Sequence, residues 1–191
     1  KIAGENFRVS RVVINKAKLE GPLALPPLDI DAAVSGNGSL QSVTLRGGDK
    51  LSVQLSPKGS DIGFEITAGS LALPVAPALT LSDFSMKGTA NRGGVTMSEF
   101  DGRYSEGVFT GTAKIRWGAN WTVDGEGRVR AMRGGVLAPA LVSEGKVDGR
   151  GAYSMSGPNP ATLFESARIQ GDFKIDKGVL GSFDLTRALQ T

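Results

Sequence analysis

The sequence WTVDGEGRVRAM, residues 121–132, decides the fold class of this 191-residue chain. Its side chains alternate between apolar and charged, and alternate side chains of a β-strand lie on opposite faces of the sheet. One face would carry Trp121, Val123, Val129 and two glycines, and the other would carry the charged residues. Glycine weakens a strand interior and offers no side chain for packing. The stretch therefore predicts a strand with a thinned apolar face, and it raises the question of what covers that face.

Three other stretches repeat this design, with glycine inside an apolar row and a polar row on the opposite face. They are GVFTGTAKIRWG at 107–118, GKVDGRGAYSM at 145–155 and RIQGDFKIDKG at 168–178. Shorter alternating stretches occupy the N-terminal half, where Gly47–Gly48 indicates a tight hairpin turn. Two strands at 79–90 and 94–104 each change the parity of their apolar residues once. A β-bulge near Ser82–Asp83 and another near Ser98–Glu99 would explain those changes.

The whole chain predicts about ten antiparallel strands. Helix signals are confined to one or two short segments near the C-terminus, at 160–167 and 184–190. Ten strands form a sheet about 50 Å wide, which such helices cannot cover. The sheet must therefore fold onto itself as a sandwich or barrel, or something other than this chain must fill its concavity.

The supply of large side chains favours the second alternative. The chain has only eight Phe, two Trp and two Tyr, and its apolar rows are rich in glycine, which would leave costly voids in a self-packed core. We therefore predict an all-β chain in which a strongly curved antiparallel sheet forms an open groove. Residues 1–191 would make up a single segment of that groove.

The apolar rows supply the residues expected to line the groove. Candidate residues for contact with lipid acyl chains are Phe109, Ile115, Trp117, Trp121, Val123, Val129, Val147, Tyr153, Ile169, Phe173 and Ile175. The glycines expected in the same floor are Gly111, Gly125, Gly127, Gly149, Gly151 and Gly171. An ordinary core against another part of the chain is the alternative, because alternation reports burial and not what does the burying. Acyl chains would gain about 0.8 kcal/mol per buried methylene, so affinity would be broad rather than selective.

Two further features have both a structural and a functional interpretation. Trp117 and Trp121 bracket a short turn and are expected to pair across a hairpin, with an anchor at the level of lipid headgroups as the alternative. Basic residues on the polar faces could meet anionic headgroups or a partner; they are Lys114, Arg116, Arg128, Arg130, Arg133 and Arg150. Asp124, Glu126 and Asp148 share those faces, so cross-strand ion pairing on a solvated surface is the expected arrangement.

Composition argues against several other functions. The chain has no Cys and no His, which excludes disulfides and thiolate metal sites and removes the commonest general base. The carboxylate pairs with catalytic spacing, Asp124 with Glu126 and Glu99 with Asp101, lie on charge-rich faces without a desolvating pocket. The 22 basic residues are interleaved with 19 acidic ones and aromatics make up 6%, unlike a nucleic-acid-binding surface. We expect no catalytic residues, no metal or cofactor, and no nucleic-acid partner.

The same strands resemble the C-terminal region of AsmA-like proteins. The resemblance rests on VFTGTAKIRWG, WTVDGEGRVRA, GKVDGRGAYSM and IQGDFKIDKGVLGSFDLTRAL. Its most suggestive part is the closing run, a G-x-F-x-I-x-x-G strand followed by a short tail and Asp-Leu at a helix start. It covers residues 79–191, whereas residues 1–78 fit the strand pattern without a recognised motif.

The resemblance implies a protein of the Gram-negative periplasm. Because the chain begins at Lys1 rather than Met, we expect a fragment whose inner-membrane anchor lies upstream. The family's strands build a long open groove, similar in shape to bridge-like lipid transfer proteins, thought to carry phospholipid between the inner and outer membranes and to support outer-membrane biogenesis. The family offers no catalytic residues to carry over. The alternative function is an envelope scaffold that binds other envelope proteins through its sheet edges or apolar face.

Overall fold

A computed structural model describes residues 9–18, 27–73, 79–134 and 142–180 of the chain. The strands are β1 (Arg11–Ala17), β2 (Leu28–Val34), β3 (Leu40–Arg46), β4 (Ser52–Lys58), β5 (Asp61–Leu73), β6 (Leu79–Asn91), β7 (Gly94–Tyr104), β8 (Gly107–Arg116), β9 (Trp121–Arg133), β10 (Val142–Gly157) and β11 (Arg168–Leu180). They form one antiparallel sheet in which each strand pairs with its neighbours in sequence, and β1 and β11 are its two edges. The predicted all-β fold with an open sheet is confirmed, with eleven strands rather than about ten.

Cross-strand register gathers most of the apolar residues of the eleven strands on one face. One row of directly opposed residues is Ile14, Ile30, Leu45, Val53, Ile66, Met86, Phe100, Gly111, Gly127, Gly151 and Gly171. A second is Val12, Ala32, Val43, Leu55, Phe64, Gly88, Met97, Ala113, Gly125, Tyr153 and Ile169. We call this side the apolar face. The other side is the polar face, with rows such as Thr110, Arg128, Arg150 and Asp172.

Both predicted bulges are confirmed. In β6 the register with β7 shifts between Ser82 and Ser85, where Asp83 has a φ of 45°. In β7 the register with β8 shifts between Met97 and Phe100. Each bulge inserts one extra residue, so apolar side chains that change parity in the sequence stay on the same face of the sheet.

The turn between β3 and β4 differs from the expectation for Gly47–Gly48. The left-handed positions belong instead to Asp49 and Lys50, with φ values of 55° and 58°, and the Leu51 amide donates to the Gly48 carbonyl at 3.2 Å. The Asp49 carbonyl accepts a hydrogen bond of 2.7 Å from the Gly69 amide of β5. This contact with a distant strand accounts for the turn position that local sequence did not predict.

The two-residue loop between β7 and β8 also has left-handed residues with side chains, Ser105 at 48° and Glu106 at 70°. Because glycine takes this conformation without steric cost, we expect Glu106→Gly to raise the free energy of unfolding by about 1 kcal/mol. Urea denaturation followed by circular dichroism measures the change. Thr110→Gly, at an extended position of β8, should instead lower stability by about 0.5–1 kcal/mol. A Glu106→Gly variant no more stable than the wild type would contradict this turn geometry.

The predicted helix at 160–167 is present as a short 3₁₀ helix, Pro160–Ser166. The Asn159 side chain caps it by accepting from the Ala161 amide at 3.0 Å, and Leu163 is buried where the helix packs against β10 and β9. The Ser166 hydroxyl is held by the backbone of β10. The helix predicted at 184–190 lies outside the described residues.

Buried apolar residues of the described part of the chain are few, and all of them except Leu163 of the short helix lie in strands of the sheet. Those in the described residues are Leu28, Ala68, Leu81, Phe84, Ala113, Val123, Met132, Val147 and Leu163. Among the described elements, each strand packs mainly against its neighbours in the sheet, and the short helix packs on β9 and β10. The described residues therefore form an open sheet and not a two-layer sandwich.

Candidate functional site

The candidate groove residues lie on the apolar face of β8 to β11, except that Trp117 follows the end of β8. The register opposes Ile115 to Val123, Phe109 to Val129, Tyr153 to Ile169, and Val147 to Ile175. Trp121 lies opposite Gly157, and Phe173 lies opposite Gly149. The structure therefore brings these candidates together on one surface.

Exposure of this surface rises toward the β11 edge. Val123 and Val147 are only 8% and 5% exposed, whereas Ile169, Phe173 and Ile175 are 65%, 49% and 38% exposed. In the middle of the sheet, side chains of neighbouring strands pack beside one another and reduce each other's exposure. The last strand presents apolar side chains to the surroundings.

Aromatic rings cover several glycines of the apolar face. At four described glycines, an atom of the directly opposed aromatic residue lies within 2.9 Å of the place where a Cβ would stand: Gly102 and Phe109, Gly111 and Phe100, Gly125 and Tyr153, Gly149 and Phe173. A Cβ on Gly149 would lie 2.2 Å from Cδ1 of Phe173, and a Cβ on Gly125 would lie 2.5 Å from the hydroxyl oxygen of Tyr153. Each ring therefore fills the space that a side chain on the glycine would occupy. Aromatic residues compensate for glycine in sheets in this way. The thinned face of β9 is covered, in part, by the sheet's own rings.

The other candidate glycines form a row without such rings. Gly127, Gly151 and Gly171 are opposed across β9, β10 and β11. The nearest atom to a Cβ on Gly127 is Cε1 of Tyr153 at 3.8 Å, which is ordinary contact. A Cβ on Gly171 would lie 2.1 Å from the Arg150 carbonyl oxygen, because β10 and β11 approach closely there. The six candidate glycines thus divide into three under rings and three that leave a strip of bare backbone.

Phe100 and Gly102 belong to this surface although they were absent from the candidate residues. The rings of Phe100 and Phe109 are 5.8 Å apart between centroids and tilted by 47°. The bulge between Met97 and Phe100 hides this relation from strict alternation. Carrying the parity change at Ser98–Glu99 through to the end of β7 would have found both residues.

Tyr153 braces three strands. From β10 its ring crosses Gly125 of β9, and its hydroxyl donates to the Thr112 carbonyl of β8 at 2.9 Å. Burial raises the pKa of Tyr153 from 10.0 to about 12, because a phenolate there would lose solvation. The neutral side chain of Tyr153 therefore connects β10 to β9 and β8, and it is also part of the apolar face.

The raised pKa of Tyr153 predicts a late ionisation step. The stability contributed by the neutral phenol is complete below pH 10, the unfolded value, and is lost as pH rises toward about 12. In an absorbance titration of the phenolate band, Tyr153→Phe should remove the step near pH 12. Tyr104→Phe should leave that step in place. Disappearance of the late step in Tyr104→Phe instead would contradict the assignment.

The predicted pairing of the two tryptophans is confirmed. The Trp117 and Trp121 rings are 5.4 Å apart between centroids and tilted by 41°. The Trp117 indole Nε1 donates to the Arg92 carbonyl at 2.8 Å, and its amide donates to the Gly93 carbonyl at 3.2 Å. Trp117 therefore ties the turn after β8 to the turn between β6 and β7, and its indole donor is already used.

Charged residues of the polar face form exposed cross-strand contacts. Arg116 binds Asp124 at 3.0 Å, which confirms ion pairing at that position, and Lys87 binds Glu99. Each of the two carboxylate pairs with catalytic spacing thus has one member held by a basic residue on a solvated surface. Within the described part of the chain, no group of three His, Cys, Asp or Glu is placed to hold a metal ion.

Other predicted ion pairs are replaced by different contacts. Arg133 donates to the Ser105 hydroxyl at 2.8 Å, and the Asp148 carboxylate accepts from the Ala131 amide at 2.7 Å. Ala131 has a φ of 52°, and the register between β9 and β10 shifts beside it. At this irregular point of the backbone, the Asp148 carboxylate accepts from an amide, whereas the sequence predicted that it would pair with a basic residue across the strands.

Three open depressions of 540, 550 and 720 Å³ lie on the polar face. The first is lined by side chains that include Glu126, Arg128, Arg150 and Asp172, with glycine backbone as its floor. Opposite charges balance in this lining and are solvated, so it offers no selective attraction for an ion. The apolar face has the more distinctive chemistry.

Comparison of the chain with protein-family models, with curated proteins and with solved structures finds no match. In the ranges that the structure describes, no helix combines the length and apolar character needed to span a membrane. Any assignment of function therefore depends on the chemistry of the two faces and the edges.

Proposed function

We propose that this chain is a non-enzymatic β-groove segment that binds lipid acyl chains, those of phospholipid above all, on its apolar face. The observation that carries the proposal is the pair of rows that cross all eleven strands without a polar residue. A surface of this kind on a single-layer sheet is larger than the scattered apolar patches of an ordinary soluble domain. Hydrocarbon is the ligand whose chemistry matches it.

The alternation of aromatic rings and bare backbone on the apolar face supports the same proposal. Rings lie over Gly111, Gly125 and Gly149, while Gly127 and Gly151 leave backbone between the ridges. An extended acyl chain needs contact along its length and no hydrogen bonds, and it gains about 0.8 kcal/mol for each methylene that it buries. A long chain would therefore bind without a specific polar group, and one surface would accept several lipids.

We further propose that the segment belongs to an AsmA-like protein of the Gram-negative periplasm. In this proposal an anchor outside residues 1–191 holds the protein in the inner membrane, and the groove conducts phospholipid toward the outer membrane to support its biogenesis. The support is the resemblance of residues 79–191, together with the open all-β sheet that the resemblance implied.

Lipid bound to the purified chain tests this proposal directly. The chain is purified without detergent, extracted with organic solvent and assayed by mass spectrometry, and uptake of a fluorescent phospholipid is measured in parallel. We expect recovered phospholipid and saturable uptake. Absence of both would reject lipid binding. Crosslinking in cells that captures an envelope protein at Phe109 or Trp121, without lipid, would favour the scaffold function instead.

A further inference from the structure

The two edges of the sheet hold most of the strongly exposed large apolar side chains of the described residues. On β11 these are Ile169, Phe173 and Ile175, and a similar group lies on and beside β1. One edge of β11 pairs with β10, and no described strand pairs with the other edge. An exposed edge strand with apolar side chains is a template for pairing with another strand.

The polar face of β11 has charged residues that would complement one another if a second copy of the strand paired with it in the antiparallel direction. Gln170, Asp172, Lys174 and Asp176 alternate with the apolar residues. On the β10 side Asp172 lies opposite Arg150 and Lys174 opposite Asp148. No ion pair within 4.0 Å joins these opposed residues in the described structure. Their charges therefore remain available to a strand on the outer edge.

Two copies of β11 keep their apolar faces on the same side when they pair antiparallel about a two-fold axis that passes through a residue of the strand. When that axis passes through the Phe173 pair, Asp172 of each copy lies opposite Lys174 of the other, and Gln170 lies opposite Asp176. Centring the pair one residue earlier places Asp172 opposite itself, and centring it one residue later places Lys174 opposite itself. Like charges that are directly opposed destabilise both of those registers.

A register centred on Ile175 also opposes Lys174 to an aspartate, Asp176. The register centred on Phe173 has in addition a directly opposed pair of aromatic rings, which stabilises a cross-strand pair. Charge and ring pairing together favour the register centred on Phe173.

We infer that the outer edge of β11 binds the same edge of a second copy of this chain, as an antiparallel two-fold pair centred on Phe173. Such an interface is isologous, so each favourable contact occurs twice. The β1 edge is a poorer partner, because its charged residues, Arg11 and Lys16, are both basic and Arg11 is already paired with Asp31. The inference uses edge charges and backbone, and is independent of lipid binding.

Charge reversal tests the register with the full chain. Sedimentation over a range of concentrations should show a dimer for the wild type. Asp172→Lys alone and Lys174→Asp alone each place like charges opposite each other twice, and each should raise the dimer dissociation constant at least about tenfold. An equimolar mixture of the two variants should regain wild-type affinity, because each new lysine then lies opposite an aspartate. Glu165→Lys, an exposed charge reversal outside β11, is the control and should leave the dimer unchanged.

The mixture separates this register from misfolding and from other interfaces. Circular dichroism of each single variant should match the wild type, and recovery of the dimer on mixing requires both chains to be folded. A wild-type chain that stays monomeric at every concentration overturns the inference. So does a dimer that the single variants leave intact, or a mixture that remains as dissociated as its two components.

Discussion

Replacing Gly125 with alanine is expected to lower the free energy of unfolding by about 3 kcal/mol. The new Cβ would lie 2.1 Å from the Thr112 carbonyl oxygen and 2.5 Å from the hydroxyl oxygen of Tyr153. The backbone of β8 at Thr112 cannot move away from this Cβ without disturbing the pairing of β8 with β9. Displacement of the ring would also break the hydrogen bond between Tyr153 and Thr112. Urea denaturation monitored by strand circular dichroism measures the loss.

Gly127→Ala is the matched control, since Gly127 lies two residues further along the same strand and on the same face. Its Cβ would meet no atom closer than 3.8 Å. Alanine is favoured over glycine inside a strand, so stability should rise by about 0.5–1 kcal/mol. The two variants thus change stability in opposite directions. Equal losses at both positions would show that the ring of Tyr153 does not lie over Gly125 as described.

Alternation in the sequence was sufficient to predict the architecture. The period of two in 121–132 and in its repeats assigns each side chain to one face of the sheet. A sheet of about ten strands is also too wide for one or two short helices to cover its apolar face. The bulges were also predictable, because an inserted residue leaves a visible change of parity near Asp83 and Ser98. These features depend on the order of residues along one strand, which the sequence contains directly.

Features that depend on contacts between distant strands were not predictable in the same way. The turn at Asp49–Lys50 is set by the Gly69 amide of β5, and the Trp117 indole reaches the carbonyl of Arg92, 25 residues away. Alternation places an aromatic residue and a glycine on one face without saying that they are opposed. The relation between Phe173 and Gly149 required the register itself.

The sequence was sufficient to predict which residues belong to the candidate site, but not which parts of its surface are covered by aromatic rings. All the candidate positions in β8 to β11 lie on one face, because face assignment follows from parity. Which glycines would be covered by rings and which would remain bare depends on ring positions across strand pairs. The distinction between Gly125 and Gly127 therefore has no signal in the sequence of β9 alone.

The double variant Ile169→Glu with Ile175→Glu is expected to weaken phospholipid binding about a hundredfold, because each isoleucine contributes about 1.5 kcal/mol when hydrocarbon covers it. Both side chains are exposed on the apolar face of the edge strand, so their replacement should not unfold the sheet. Titration with a fluorescent phospholipid measures the affinity. Arg168→Glu is the matched control, since it changes the net charge by the same two units on the polar face of β11. Similar weakening by Arg168→Glu would mean that charge rather than apolar contact governs binding, and unchanged affinity in the double variant would exclude the β11 end of the apolar face as a lipid site.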